Sequence, residues 1–313
     1  MTHGLQPRHQ GYLADPFLLR DGGSYLLYGS ADPELHLASA PAIASPDLET
    51  WRVLEPVLRG VPPESGRDVW APEVAFAGGM YWMYYSVGHG IEGHHIRVAR
   101  AERAEGPFVD LGLNLTPGES FAIDAHPFRD ADGNWYLYLA RDVLDHPRRG
   151  THLAVAPLIG MTELGPITPV LAPDSPWQLF EHDRDLYGRT ADWWTLEGPA
   201  VVHHAGRYVL LFSGGRWETE GYGVSAAFAD HPLGPWRHRP GAEAEVLSTA
   251  IVGVPGPGHC SVLSQPDGTT LIAFHGWDAE RRRRQPYIER LGWAEGEPRL
   301  ERRPSSARTA STA

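Results

Sequence analysis

Three acidic residues stand where they could do chemistry. Asp15, Asp124 and Glu197 each open a short apolar segment: Asp15-Pro16-Phe17-Leu18-Leu19, Asp124-Ala125-His126-Pro127-Phe128 and Glu197-Gly198-Pro199-Ala200-Val201-Val202. An aspartate beside a proline or a turn ordinarily hydrogen-bonds backbone amides, which explains any single one of them. Glu197 fits that explanation least, because glutamate is a poor turn residue and its neighbours are apolar. If the fold gathers the three segment heads, the carboxyls crowd, and like charges raise at least one pKa. A scaffold gains nothing from such crowding, whereas acid–base catalysis does. Glycosidic bond cleavage asks for this set: a protonated carboxylic acid beside the leaving oxygen and an ionised carboxylate on the other face of the sugar. A third acid can hold the donor protonated and aimed. Trp70, Trp177, Trp193 and Trp194 lie near such segments and offer aromatic walls, although most of the 11 Trp and 12 Tyr must be core.

The elements that must position these acids repeat. Five segments share one layout, an apolar strand, a Gly-containing turn and a strand dense in aromatics, starting at residues 15, 71, 124, 197 and 258. The turns are Asp21-Gly22-Gly23, Gly78-Gly79, Asp132-Gly133-Asn134, Ala205-Gly206 and Asp267-Gly268, where Gly supplies the positive φ of a tight hairpin. The second strands are continuously apolar, as expected when both faces are covered. Third strands of small alternating residues follow, such as Ile96-Arg97-Val98-Ala99 and Tyr222-Gly223-Val224-Ser225-Ala226. Gly-Pro turns then lead to a last strand, at Gly106-Pro107 and Gly234-Pro235. Four antiparallel strands per unit and five units predict an all-β chain folded as a five-bladed β-propeller. A β-sandwich is the competing architecture, and the regularity of the repeat disfavours it. One domain over 1–301 is expected, with a Ser/Ala/Arg-rich disordered tail over 302–313. The first strand of each blade lines the axis, so Asp15, Asp124 and Glu197 should meet at equivalent positions around one mouth.

Composition narrows the partners. The 313 residues carry 27 Lys+Arg against 39 Asp+Glu, a net charge of −12, which disfavours nucleic acid or an anionic membrane. No apolar run approaches the ~18–20 residues of a membrane span. The polar stretch Met1 to Tyr12 has no signal-peptide core, so a cytoplasmic location is expected. Cys260 is the single cysteine, which excludes an internal disulfide.

These residues resemble glycoside hydrolase family 43, whose arabinanases, α-L-arabinofuranosidases and β-xylosidases are built on one five-bladed propeller. The resemblance runs over about residues 10–300, through Ala14-Asp15-Pro16, Trp70-Ala71-Pro72-Glu73, Ile123-Asp124-Ala125-His126-Pro127-Phe128, Leu196-Glu197-Gly198-Pro199 and Gly258-His259-Cys260-Ser261-Val262. It implies Asp15 as general base, Glu197 as general acid and Asp124 as the residue that tunes and orients Glu197. It implies single-step inversion. His259 matches a histidine near the axis that in several members contacts a cation, often calcium, so a structural calcium near His259 is an expectation; no cofactor is implied for the chemistry. Glu73 stands where the family commonly has Asp, which would alter a subsite. The implied substrate is an oligosaccharide with a terminal pentose, first α-L-arabinofuranose, with β-D-xylosidase and endo-arabinanase as alternatives. A propeller that binds glycans without catalysis is the alternative from another class.

Weaker signals remain. His89, His94 and His95 share a Gly-rich loop better suited to contacting substrate than to binding metal. Asp130 to Asn134 reads as a hairpin turn and not a calcium loop, since it lacks the distal Glu. Arg281 to Arg284 reads as a solvated run from which one Arg could reach the sugar site, and His275 either lines the pocket or packs. The long interval before blade 4 either closes one end of a groove or braces a blade interface.

Overall fold

The computed structural model describes residues 5–239 and 241–301; the tail expected at 302–313 lies outside the described residues. Its strands form five antiparallel meanders. Blade 1 is Ala14–Asp21, Ser24–Ser30, Ala42–Ser45 and Arg52–Val53. Blade 2 is Asp68–Ala77, Met80–His89, Glu92–Ala101 and Phe108–Asn114. Blade 3 is Ala122–Arg129, Trp135–Val143, Gly150–Ile159 and Thr168–Leu171. Blade 4 is Arg189–His204, Arg207–Gly214, Gly223–Ala229 and Arg237–His238. Blade 5 is Gly258–Ser264, Thr270–Trp277, Arg284–Ala294 and Glu297–Leu300. The first strands touch in a closed cycle, blade 1 to 2 to 3 to 4 to 5 and back to 1. This is the five-bladed propeller.

The second strand of each blade shows why its sequence is apolar throughout. Leu26 and Tyr28 pack into the core between blades 1 and 2, while Leu27 between them packs toward blade 5. Met83 and Tyr85 likewise face blade 1, and Tyr84 faces blade 3. Alternate residues thus serve alternate neighbours, so neither face can be polar. The buried tyrosines also find carbonyls in the next blade: Tyr28 donates to Ala104, Tyr84 to Met161 and Tyr138 to Pro232, at 2.6, 2.9 and 2.6 Å. Helix is minor, a four-residue turn at Thr249–Val252 and three 3₁₀ turns, and no helix of the described residues is long and apolar enough to cross a membrane.

Every first strand is bulged at the same height. The pairing skips Asp15-Pro16, Ala71-Pro72, Asp124-Ala125, Gly198-Pro199 and His259-Cys260. The first residue of each pair has a positive φ, of 51, 44, 59, 55 and 47° in turn. Such bulges re-aim a side chain. They also correct one expectation: Glu197 is not equivalent to Asp15 and Asp124. Gly198 holds that position in blade 4 and His259 in blade 5, so Glu197 sits one residue earlier, still in register opposite Ser213. The interval before blade 4 forms a hairpin, Leu179–Leu186 paired with the start of Arg189–His204.

Candidate active site

The bulge leaves one amide per blade that needs an acceptor, and the preceding blade supplies it. Ala71 N–H donates to Ser30 Oγ at 2.8 Å, Asp124 N–H to Ser86 Oγ at 3.1 Å and His259 N–H to Ser213 Oγ at 2.7 Å. Asp15 N–H donates instead to His275 Nδ1, at 3.1 Å. Blade 3 has Ala140 where a serine would stand, opposite Ile123. There the Gly198 amide takes a side chain from the axis itself, donating to Asp124 Oδ2 at 2.9 Å. The missing serine therefore ties Asp124 to the residue beside Glu197.

Around this ring the three carboxyls meet different partners. Asp15 is buried, accepts from Ser30 Oγ at 2.5 Å, and has Arg284 at 3.2 Å and His259 at 3.4 Å. Burial alone would raise its pKa, but the Arg284 guanidinium and His259 hold it well below the usual carboxylate range. Arg284 is itself fixed by Tyr12 Oη at 2.7 Å and lies 4.4 Å over the Trp217 ring. Asp124 has His259 Nδ1 at 3.9 Å and is pushed up to about 6, by burial first and by Asp15 despite that imidazole. Glu197 accepts from Tyr222 Oη at 2.6 Å and is pushed up to about 7, by burial and then by Asp124. His259 lies among all three; burial opposes its charged form, yet the acids raise its pKa. One carboxyl is kept ionised and another kept protonated on a single mouth.

Two connected cavities open there. The inner one, of about 210 Å³, contains Asp15, Asp124, Glu197, His259 and Arg284. The outer one, of about 490 Å³, is walled by the added hairpin through Phe180, Arg184 and Trp193. Trp70, Ile91, Ile123, Glu197 and Trp217 line both, so Glu197 stands at their junction. At ~30 Å³ per water, the inner cavity has space for about seven waters, on the scale of one sugar ring.

A model of glycosyl hydrolases family 43 matches residues 5–298. This chain belongs to that family. The β-D-galactofuranosidase xynD of Aspergillus niger is 30% identical over 296 residues, covering 88% of this chain and 76% of the relative. The extracellular exo-α-(1→5)-L-arabinofuranosidase of Streptomyces avermitilis is 23% identical, covering 84% of this chain but only 54% of the relative. A crystal structure described as a thermostable family-43 glycoside hydrolase superposes with a TM-score of 0.79 at 26% identity, covering 94% of each chain. The chain is a glycoside hydrolase.

The fold of this family 43 chain brings some of the expected residues together and separates others. Asp15, Asp124 and Glu197 share the inner cavity, and Trp70 lines it, stacked 3.6 Å from the ring of His94. Glu73 does not reach the cavity: it is buried and bonded to His126 Nδ1 at 2.7 Å, two residues along the strand from the bulge. His275 is fully buried behind Asp15, and burial pushes it down to about 4, so its neutral ring serves the Asp15 amide and lines no cavity. The expected His89–His95 loop is shorter than the sequence suggests: His89 ends blade 2's second strand and His94 and His95 stand on its third, so Gly90 and Ile91 of the tight turn line the cavity while His94 braces Trp70 from the strand. Of the arginine run, Arg284 enters the site, and Arg281 pairs at the rim with Glu220 at 2.5 Å. Trp177 is braced against Phe212 instead of facing sugar. Tyr222, Trp217, His36 and Asp68 also belong to the site and carry no local sequence signal. Buried Cys260 has its thiol pushed up to about 12 and is inert. For a cation the donor set is poor: His259 turns Nδ1 to the acids, and among the described residues no three His, Cys, Asp or Glu side chains are grouped to hold a metal. Calcium prefers six to eight oxygen ligands.

Proposed function

We propose that this family 43 enzyme is an inverting exo-glycosidase that releases a terminal α-L-arabinofuranose from arabinan or arabinoxylan oligosaccharides. The observation that carries the reading is the gathering of Asp15, Asp124 and Glu197 around one ring-sized cavity, with Arg284 and His259 beside Asp15 and Tyr222 on Glu197, an arrangement that holds Asp15 low and pushes Glu197 up. Glu197, at the junction of the cavities, protonates the departing oxygen while the aglycone lies in the outer cleft. Tyr222 occupies its Oε1, which leaves Oε2 to carry the proton. Asp15 directs a water at the anomeric carbon from the opposite face. An oxocarbenium-like transition state asks that base mainly for position and negative charge, which a strongly held carboxylate can give. Asp124 keeps Glu197 protonated by its charge and fixes the Gly198 turn.

The ring-sized inner cavity supports removal of single residues, and so does the name of the Streptomyces relative. Galactofuranose is a second reading, favoured by the Aspergillus relative; β-D-xylose and endo-action on arabinan stand behind it. The test is hydrolysis of 4-nitrophenyl α-L-arabinofuranoside, β-D-galactofuranoside and β-D-xylopyranoside, with the first-formed anomer followed by proton NMR. Release of arabinose with inverted configuration is expected. A retained anomer would sink the mechanism, and release of xylose alone would sink the sugar.

A further inference from the structure

The two cavities define a direction. The residues common to both mark where the scissile bond must lie, with the aglycone outward and the reacting sugar inward. In a furanoside the aglycone departs from C1 and the exocyclic arm from C4, on opposite flanks of the ring oxygen. An aglycone in the outer cleft therefore sends the arm toward the wall that only the inner cavity possesses. Beyond the cluster residues Asp15, Asp124, His259 and Arg284, that wall is Ala31, Pro33, His36, Asp68 and Gly90. His36 and Asp68 are the polar side chains of the inner cavity that take no part in the carboxylate cluster.

The pair is built to present the imidazole. Asp68 is buried, 7% exposed, and each of its oxygens is used. Oδ1 meets His36 Nδ1 at 2.8 Å, and Oδ2 accepts from the Gly90 amide at 2.7 Å. One carboxylate thus joins two loops from different blades and fixes the ring plane of His36, whose side chain is 61% exposed. With Nδ1–H donated to Asp68, Nε2 accepts a hydrogen bond when the ring is neutral and donates one when it is protonated. A hydroxyl complements either form, since it both donates and accepts.

We infer that the His36–Asp68 pair binds the exocyclic hydroxyl of the furanose and so determines which furanosides the inner cavity takes, His36 touching the sugar and Asp68 positioning it. The inference rests on the furanosidase reading above and adds a specificity determinant to it. α-L-Arabinofuranose and β-D-galactofuranose share their ring configuration and differ only in this arm, which in the latter carries a further hydroxymethyl group. A side chain at the arm discriminates between them, whereas the carboxylates do not.

The test compares three nitrophenyl glycosides: the α-L-arabinofuranoside, its 5-deoxy analogue and the β-D-galactofuranoside. His36→Ala should lower kcat/KM about ten-fold on the arabinofuranoside, through KM, and less than about two-fold on the 5-deoxy compound. The ratio of galactofuranoside to arabinofuranoside turnover should change as well. His36→Gln, which keeps a hydrogen-bonding arm, should recover part of the loss. Asp68→Asn keeps an oxygen for the Gly90 amide, so the loops stay joined, and should reproduce the His36→Ala pattern more weakly. Equal losses on the hydroxylated and deoxy substrates would overturn the inference while leaving the furanosidase reading intact. A wild-type enzyme that cleaves no furanoside would overturn both.

Discussion

Asp15 and Glu197 occupy one small cavity with proton affinities displaced in opposite directions, and this separates their effects on rate and on stability. As the proposed general acid Glu197 acts in its protonated form, so kcat/KM should fall as pH rises through about 7. Part of that displacement comes from the Asp124 charge, so Asp124→Asn should move the basic limb to lower pH; an unmoved limb in an active variant would deny the coupling. Stability follows the same proton with its own sign. The folded pKa of Glu197 lies above the unfolded value near ~4.3, so the folded state retains the proton over that window and loses stability as pH rises through it. Glu197→Gln, neutral in both states, should therefore melt above the wild type at pH 8, with the gap closing as pH falls toward 4. Its turnover of an unactivated arabinoside should drop by ~10²–10⁴. Asp15 has the opposite sign: its depressed pKa gives stability present above its unfolded value and lost only as pH falls through the folded one.

The element that places these groups is the bulge repeated in every first strand. Non-glycine residues at positive φ cost ~1–3 kcal/mol each, and four of the five bulges accept that cost to aim Asp15, Ala71, Asp124 and His259 as they do. Blade 4 uses glycine because the space is already filled: a Cβ on Gly198 would stand 3.1 Å from His259 Cγ and 3.3 Å from its Cα. Gly198→Ala should thus displace His259 and lower activity by more than its loss of stability explains, measured as kcat beside the urea midpoint. The hairpins were legible in the sequence, because Gly turns and apolar second strands recur wherever a sheet is covered on both faces. The acids were legible as a set for the same reason, each heading a repeat. The one-residue offset of Glu197 was not read, although Pro16, Pro72 and Pro199 each follow a bulge residue and would have aligned the blades correctly. Arg284 lies in the arginine run from which one residue is expected at the sugar, but Tyr222, His36 and Asp68 carry no signal of their own: Tyr222 precedes a third strand, His36 lies on a blade 1 connection, and Asp68 opens blade 2's first strand three residues before the bulge. Glu73 falls short of the cavity, and His275 takes the packed one of its two expected places, for a related reason: strand position alone does not say whether a side chain reaches the cavity or the layer beneath it.

At the scale of the whole molecule, each blade is a meander continuous in sequence, and among the described residues no strand crosses from the last blade into the first. The ring must close by other contacts. The segment before blade 1 lies along blade 5, with Arg8 N–H donating to Pro286 O at 2.7 Å and Leu13 N–H to Arg284 O at 3.0 Å. Ser261 forms the deeper join, accepting from Leu18 N–H at 3.0 Å and donating to Pro16 O at 2.8 Å. Apolar packing of Leu13, Leu18 and Leu27 against Leu271, Ala273 and Ile288 completes it. Ser261→Ala leaves a buried amide without an acceptor and should cost ~1–3 kcal/mol, whereas Ser264→Ala, exposed on the same strand, should cost almost nothing. Because Pro16 directly follows Asp15, the proposed base, the Ser261 variant should also lose kcat. Cooperativity gives a second reading of the same experiment. If the seam opens before the blades unfold, urea unfolding of Ser261→Ala should show a smaller m-value than the wild type, since opening populates a state with part of the surface already exposed. An unchanged midpoint would assign the closure to the apolar packing instead.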